Sequence, residues 1–121
     1  MIKGTGIDLT EVVRIKNNLE NQRFLQKIYS SRELEYLKSR KFNPETAAGM
    51  FAAKEAVAKC LGTGFSNFGA CDIEILKDEK GKPYVELLNN ALKRAEELNI
   101  NVIHISISHT NDLAIAQCVA E

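Results

Sequence analysis

Cysteine is scarce in this 121-residue sequence, which contains only three. An odd number of widely spaced cysteines excludes the disulfide framework of small secreted domains, and the spacing does not match a zinc-binding motif. Cys60, Cys71 and Cys118 stand in apolar or strand-like segments. We therefore interpret them as reduced core residues. A nucleophilic cysteine is disfavoured, because none of the three has a histidine nearby in the sequence.

Long apolar runs and an excess of charge of either sign are also lacking. No apolar run is long enough to cross a bilayer, and the chain does not open with the basic-then-apolar pattern of a secretory leader, so we expect a soluble, cytoplasmic protein. The 16 basic and 16 acidic residues balance to zero, which argues against a protein that coats nucleic acid. The length suits one domain over residues 1–121 with a single core.

What the sequence does contain is one helix that is specified at both ends. Asn43 can cap its start, Pro44 suits the first turn because its missing N–H is not needed there, and Gly62 can supply a left-handed exit. Between these residues, positions 46–61 are small or apolar almost throughout. A helix that is apolar on all sides is normally buried, so we predict a central core helix.

Three charges interrupt this apolar helix, namely Lys54, Glu55 and Lys59. A buried charge is costly unless it is paired or hydrogen-bonded, so we expect these residues to have a task. Glu55 and Lys59 lie four residues apart and share one helix face, and one interpretation is an intrahelical ion pair that stabilises the helix by about 0.2–0.5 kcal/mol. A functional role for the pair stays open beside it. The sequence offers no explanation for Lys54.

Short strand and helix patterns make up the rest of the chain. Ser30 and Glu33 have the spacing of a capping box at the start of one helix. Thr10 is predicted to cap another helix, and the alternation of apolar residues predicts that the last two strands form an antiparallel pair. Strands are predicted over residues 2–9, 71–76, 84–87, 102–108 and 113–119, and helices after residues 10, 30 and 89, the last of which stops at Asn99.

Asp8 and Glu55 are the two acidic residues that the local pattern places inside or beside apolar structure. In the first strand, Gly4 and Gly6 share a face with Asp8, so this backbone can approach another element closely. Two converging carboxylates would suit Mg²⁺, which fills its remaining positions with water and phosphate oxygens. Lys59 and the glycines that follow it would suit a phosphate. The alternative, that the two carboxylates never meet, stays open at this point.

His109 ends a strongly predicted strand and could donate to an anion, although most histidines in this position are simply solvated. A hydrolase triad of Ser106, His109 and Asp112 is disfavoured because the Gly-x-Ser-x-Gly elbow is missing. A Walker loop is excluded, since Gly62-Thr63-Gly64 follows a helix instead of preceding one. His104 is interpreted as a packed or interface histidine.

Two segments resemble the holo-acyl-carrier-protein synthases, the short-chain 4′-phosphopantetheinyl transferases. Residues 6–15 are similar to the family element G-x-D-x-x-x-x-x-R-I, and residues 51–64 to F-x-x-K-E-A-x-x-K-x-x-G-T-G. Further matches at 72–75, 81–83 and 106–110 follow in the family's order over almost the whole chain. Each motif alone is weakly specific, whereas the ordered set is highly specific.

The resemblance implies that the phosphopantetheine arm of coenzyme A is transferred to a serine of acyl carrier protein in fatty acid biosynthesis, with release of adenosine 3′,5′-bisphosphate. Asp8 and Glu55 would bind Mg²⁺, and either Glu55 or a metal-bound water would take the serine proton. Lys59 would act with them by clamping the pyrophosphate. The nucleotide end would contact Lys41, Gly64, Pro83 and His109, and the acidic helix of the carrier protein would dock on Arg14, Arg23 and Lys27. A scatter of solvated charges is the alternative for these basic residues.

The resemblance also implies a homotrimer with each active site between subunits, because family members of this length are similar to half of the longer, two-lobed transferases. Two positions depart from the family pattern. Cys60 stands where Ala is expected, and Met50 stands where Arg is frequent, which puts a basic contact at position 50 in doubt.

Together, the patterns and the resemblance predict an α+β domain with an antiparallel sheet packed with helices. Two rival interpretations remain. A non-catalytic module that binds acyl carrier protein or coenzyme A would keep the basic surface but would not need both Asp8 and Glu55. A small structural trimer with buried ion pairs would lose stability, and no activity, when Asp8 is replaced.

Overall fold

A computed structural model describes residues 1–121, the whole chain. Five strands and five α-helices are arranged as an α+β fold with antiparallel pairing, as predicted. The elements are β1 (Gly4–Glu11), α1 (Val12–Lys16), α2 (Gln22–Ile28), α3 (Ser31–Ser39), α4 (Pro44–Cys60), a short 3₁₀ turn (Ala70–Asp72), β2 (Ile73–Lys77), β3 (Pro83–Leu87), α5 (Asn89–Glu97), β4 (Ile103–His109) and β5 (Leu113–Ala120). None of the helices combines the length and the apolar composition that a bilayer span needs.

The strands form two sheets. β1, β5 and β4 make a three-stranded antiparallel sheet in that order, and β2 and β3 make a separate hairpin. The predicted pairing of the last two strands is confirmed, with Ile105 opposite Cys118 in the register. The three-stranded sheet packs one face against α4, and its other face is exposed.

The central helix α4 confirms the sequence prediction at both ends. The side chain of Asn43 accepts a hydrogen bond from the N–H of Thr46 at 3.0 Å, Pro44 is the first helical residue, and Gly62 has φ of +81° just beyond the helix. Twelve of the 17 residues of α4 are buried, on all sides of the helix. The core of the protein is therefore built around α4.

Strand β1 lies directly on the backbone of α4. A Cβ atom on Gly6 would stand 1.9 Å from the carbonyl oxygen of Ala56, and one on Gly4 would stand 2.4 Å from that of Cys60. Neither position can hold a side chain without moving the strand, since real Cβ atoms do not approach backbone so closely. The predicted close approach is confirmed, and it brings Asp8 alongside α4.

The prediction that Thr10 caps a helix is wrong. Thr10 is a buried residue of β1, and its hydroxyl donates to the Asp8 carboxylate. The following helix α1 begins at Val12 without a side-chain cap. The strand continues two residues further than predicted because β1 pairs with β5 as far as Glu11.

Helix α2 was not predicted from the sequence. Asn21 caps this helix by accepting from the N–H of Phe24 at 3.2 Å. Leu25 is buried, and Phe24 and Ile28 are half-buried on the same side. The apolar spacing of these three residues after an asparagine was the available signal.

The predicted capping box at the start of α3 is confirmed, with Ser30 and Glu33 bonded in both directions. The stop of α5 at Asn99 is also confirmed, with φ of +57°. The three cysteines are free: Cys60 and Cys118 are buried, Cys71 is half-buried, and burial raises the thiol pKa of Cys71.

Candidate active site

Asp8 on β1 and Glu55 on α4 belong to two elements that pack directly against each other. Burial raises the pKa of Glu55, and the nearby Asp8 carboxylate raises it further, while Lys59 and Arg14 act in the opposite direction. The two carboxylates are therefore within electrostatic reach of one another. Asp8 accepts from the hydroxyl of Thr10 at 2.6 Å, whereas Glu55 has no salt-bridge partner within 4.0 Å.

Lys59 reaches from α4 to β1. Its Nζ donates to the carbonyl oxygen of Ile7 at 2.8 Å and lies 3.3 Å from Oδ1 of Asp8. The interpretation of Glu55 and Lys59 as an intrahelical ion pair is therefore wrong. Glycine at position 6 lets β1 come close enough to offer Lys59 both a carbonyl and a carboxylate. The Lys59 side chain remains 52% exposed, so its charge is accessible to a ligand.

Asp8 and Glu55 are the candidate metal ligands that the structure brings together. No His, Cys, Asp or Glu joins them to make a group of three. This donor set is too small for a metal that is enclosed by protein. It is typical of Mg²⁺, which is bound by one or two carboxylates and completes its octahedron with water and phosphate oxygens.

A cavity of about 500 Å³ opens beside Glu55. Its rim carries the basic side chains of Arg14 and Lys27, and the Arg14 guanidinium lies 5.3 Å from the centre of the Phe51 ring. Arg23 lies four residues before Lys27 on α2 and is exposed. The remaining lining is mostly apolar: Phe24, Ile28, Phe51, Phe65, Phe68, Gly69 and Ala70. The basic residues were predicted from the sequence, but the apolar cavity between them was not, because its apolar walls come from three separate segments.

One of the candidate nucleotide contacts, His109, lies away from this group within one chain. His109 lies near the N-terminal end of α4, where its Nδ1 is 3.1 Å from a carboxylate oxygen of Glu45. Glu45 and Glu55 are ten residues apart, so they are separated by about 15 Å along the helix axis. Lys41 is exposed in the turn before α4, Pro83 begins β3, and Gly64 follows the opposite end of α4 with φ of +59°.

His109 lines a second, smaller cavity of about 90 Å³. Lys77 and Tyr36 line it too, and neither was predicted as a site residue. Met50, one of the departures from the family pattern, is buried in the wall of this cavity. A basic side chain is thus present beside His109 although position 50 supplies none.

The structure excludes the hydrolase triad. In β4, Ser106 and His109 are separated by an odd number of positions and point to opposite faces of the sheet. His109 instead faces Glu45. His104 is not packed within the chain: it is exposed and lies 3.1 Å from the Glu121 carboxylate.

The family model of the 4′-phosphopantetheinyl transferase superfamily matches residues 4–118. The chain is 50% identical to the holo-acyl-carrier-protein synthase of Clostridium botulinum over 122 residues, which covers 100% of this chain and 98% of that protein.

The fold is similar to solved structures in the same group. The crystal structure of holo-acyl-carrier-protein synthase from Neisseria meningitidis superposes with a TM-score of 0.90 at 35% identity, covering 100% of this chain and 99% of that one. The Helicobacter pylori synthase, solved in complex with coenzyme A, gives a TM-score of 0.85 at 31% identity, covering 97% and 99% of the two chains.

Proposed function

Since the chain belongs to the holo-acyl-carrier-protein synthases of the 4′-phosphopantetheinyl transferase superfamily, we propose that it transfers phosphopantetheine from coenzyme A to a serine of apo acyl carrier protein. The second product is adenosine 3′,5′-bisphosphate, and the reaction serves fatty acid biosynthesis in the cytoplasm. The observation that carries the proposal is the group formed by Asp8, Glu55 and Lys59 beside an apolar cavity with a basic rim.

Asp8 and Glu55 would hold Mg²⁺. The Glu55 carboxylate supports this assignment, because it has no salt-bridge partner and is partly buried near the Asp8 carboxylate. Lys59 pairs with Asp8 and with no other carboxylate, so the Glu55 carboxylate can contact a cation without breaking an ion pair. When bound, Mg²⁺ would supply positive charge to the pyrophosphate of coenzyme A and lower the pKa of a coordinated water.

The side chains of Glu55 and Lys59 would carry out the remaining steps of the transfer. The serine oxygen forms a bond to the phosphorus of the pantetheine phosphate, and the bond from that phosphorus to the bridging oxygen of the nucleotide phosphate breaks. Glu55, directly or through water, receives the serine proton. Lys59 is held near Asp8 with its ammonium half-exposed, so it can contact the pyrophosphate as charge develops on the leaving group. This use of both carboxylates favours an enzyme over a binding module.

The cavity beside Glu55 is the docking site that we propose for the carrier protein. Arg14 and Lys27 on its rim, with Arg23 nearby, match an acidic helix, while the apolar walls can accept an apolar side chain of that helix. A partner bound here would present its serine next to Glu55. The cavity thus adds an apolar anchor to the basic contacts that the sequence predicted.

We propose that the protein is a homotrimer with its active sites between subunits. Lys41 and His109 lie at one end of α4, and the Asp8–Glu55 group lies toward the other end. If both groups contact the same coenzyme A molecule, they are best supplied by two different copies of the chain. The exposed face of the three-stranded sheet carries Ile7, Leu9, Leu113 and Ile115, and Leu9 pairs with Ile115 in the register. This exposed apolar face is suited to pack against a second subunit.

Sedimentation equilibrium tests the assembly. We expect three times the monomer mass at micromolar concentration, and we expect Leu9→Lys to shift the mass toward the monomer because it places a charge on the apolar face. Lys3→Ala, on the exposed N-terminal segment, serves as the control. A wild-type protein that sediments as a monomer would contradict the proposal.

His109→Ala is expected to raise the KM for coenzyme A by about tenfold or more, because charge-assisted contacts to a phosphate contribute strongly to binding. The effect on kcat should be smaller, since His109 lies away from Glu55. Steady-state rates at varied coenzyme A measure both. 3′-Dephospho-coenzyme A, which lacks the phosphate at the nucleotide end, should respond less to the substitution. An unchanged KM for coenzyme A would refute this role.

The transferase reaction itself is tested with the purified protein, coenzyme A, Mg²⁺ and apo acyl carrier protein. We expect the carrier protein to gain the mass of phosphopantetheine and an equal amount of adenosine 3′,5′-bisphosphate to appear. Chelation with EDTA should stop the reaction, and added Mg²⁺ should restore it. If no mass is gained while a known transferase succeeds in the same mixture, the proposed function is wrong.

A further inference from the structure

Lys54 immediately precedes Glu55 in α4, but its side chain is buried on another side of the helix. Only 1% of the Lys54 side chain is exposed. Its Nζ donates to Oε1 of Glu33 at 2.5 Å, to the carbonyl oxygen of Ala70 at 2.8 Å and to that of Ile73 at 2.5 Å. An ammonium has three N–H donors, so every donor of Lys54 is used.

The partner carboxylate is also fully buried and fully bonded. Glu33 is 0% exposed, and it accepts from the N–H of Ile75 at 2.8 Å and from that of Ser30 at 2.9 Å. Burial lowers the pKa of Lys54, and the Glu33 carboxylate opposes that shift. The ion pair thus joins the start of α3 and strand β2 to the middle of α4.

The bond from Lys54 to Ala70 connects this ion pair to the active-site cavity. Phe65, Phe68, Gly69 and Ala70 form one wall of the cavity beside Glu55. The rings of Phe65 and Phe68 pack edge to face, with centroids 5.9 Å apart. Residues 62–69 contain no helix or strand. The wall is therefore a loop, and Lys54 attaches its C-terminal end to the helix that carries Glu55.

We propose that Lys54 is a positioning residue that holds the loop wall in place, so that the cavity is formed before the carrier protein binds. Its three donors are divided between the Glu33 carboxylate, the carbonyl of Ala70 at the end of the wall and the carbonyl of Ile73 at the start of β2. Because Ala70 lines the cavity, its bond to Lys54 links the end of the loop wall directly to α4. The inference rests on the proposed function, because it assigns the cavity to the carrier protein.

The test compares Lys54→Met with the double variant Lys54→Met/Glu33→Gln. Methionine keeps the length and apolar body of the side chain but has no donor. The single variant also leaves the Glu33 carboxylate buried without its partner, whereas the double variant removes both charges. In both variants the carbonyls of Ala70 and Ile73 lose their donor. Lys38→Met, on the exposed face of α3, is the matched control.

In both variants, we expect the KM for acyl carrier protein to rise by about tenfold, as when a well-packed anchor contact is lost from an interface, while kcat changes little. The melting temperature should fall most in the single variant and recover in part in the double variant, where the buried charge is gone but the two carbonyls still lack their donor. The proposal is wrong if the KM recovers together with the melting temperature, because Lys54 would then only neutralise Glu33. An unchanged KM in both variants would also overturn the proposal. So would a loss of activity that is confined to kcat.

Hydrogen exchange separates this inference from the proposed function. Amides of residues 69–73 should exchange faster in the double variant than in the wild type, while those of β4 should not change. If the exchange rates of the amides at 69–73 do not change, the proposal that Lys54 holds the loop wall in place is refuted. Absence of transfer by the wild-type protein would instead refute the transferase function and would leave the exchange result valid.

Discussion

Glu55→Gln is expected to reduce the transfer of phosphopantetheine by about a hundred- to ten-thousand-fold, the range that is typical when a general base is lost. Glutamine has nearly the same shape as glutamate, but it cannot take the serine proton at neutral pH and offers a neutral oxygen to Mg²⁺. The side chain has no salt bridge to lose, because the ammonium of Lys59 is bound to Ile7 and Asp8. Initial rates of holo carrier-protein formation, measured by mass spectrometry, give the size of the loss.

The stability of this variant separates a chemical effect from a structural one. Burial and the neighbouring Asp8 carboxylate raise the pKa of Glu55, so its ionised form is disfavoured in the folded protein. Removing that charge should leave the melting temperature unchanged or raise it slightly at neutral pH. Glu96→Gln, on the exposed side of α5, is the control. Activity within tenfold of the wild type would contradict the catalytic assignment of Glu55.

The sequence predicted the elements whose ends are determined locally. Asn43, Pro44 and Gly62 act within one or two turns of the chain, so α4 could be bounded correctly without any tertiary information. The capping box of Ser30 and Glu33 is local for the same reason. The short helix α2 was not predicted, because the apolar spacing of its seven residues spans only about two turns and is a weak signal.

Partners that are distant in sequence could not be predicted in the same way. Spacing suggested that Lys59 would pair with Glu55, but the packing of Gly6 against α4 brings Asp8 closer. Lys54 remained unexplained because its three acceptors come from α3, the 3₁₀ turn and β2. The resemblance to a family supplied the candidate residues of the site, and the fold shows which of them meet within one chain.

Asp8→Asn is expected to have an effect of similar size to that of Glu55→Gln, but with a different dependence on Mg²⁺. Asparagine can keep the bond from the hydroxyl of Thr10, which donates to Asp8 at 2.6 Å, so β1 should stay in place. It removes the anionic partner of Lys59 and one of the two carboxylates that would hold the metal. We therefore expect a loss of transfer of about a hundredfold or more and a higher Mg²⁺ concentration at half-maximal rate.

Titration of the rate with Mg²⁺ distinguishes a metal ligand from a structural residue. If Asp8 binds the metal, excess Mg²⁺ should recover part of the activity of Asp8→Asn, because the remaining carboxylate of Glu55 still attracts the cation. If Asp8 serves only to pair with Lys59, the Mg²⁺ dependence should match that of the wild type, and the metal role would be refuted. Asp112→Asn, in the exposed turn between β4 and β5, should behave as the wild type in both rate and Mg²⁺ dependence. A protein that kept its fold and lost transfer only at low Mg²⁺ would also exclude the structural-trimer interpretation, in which replacing Asp8 changes stability alone.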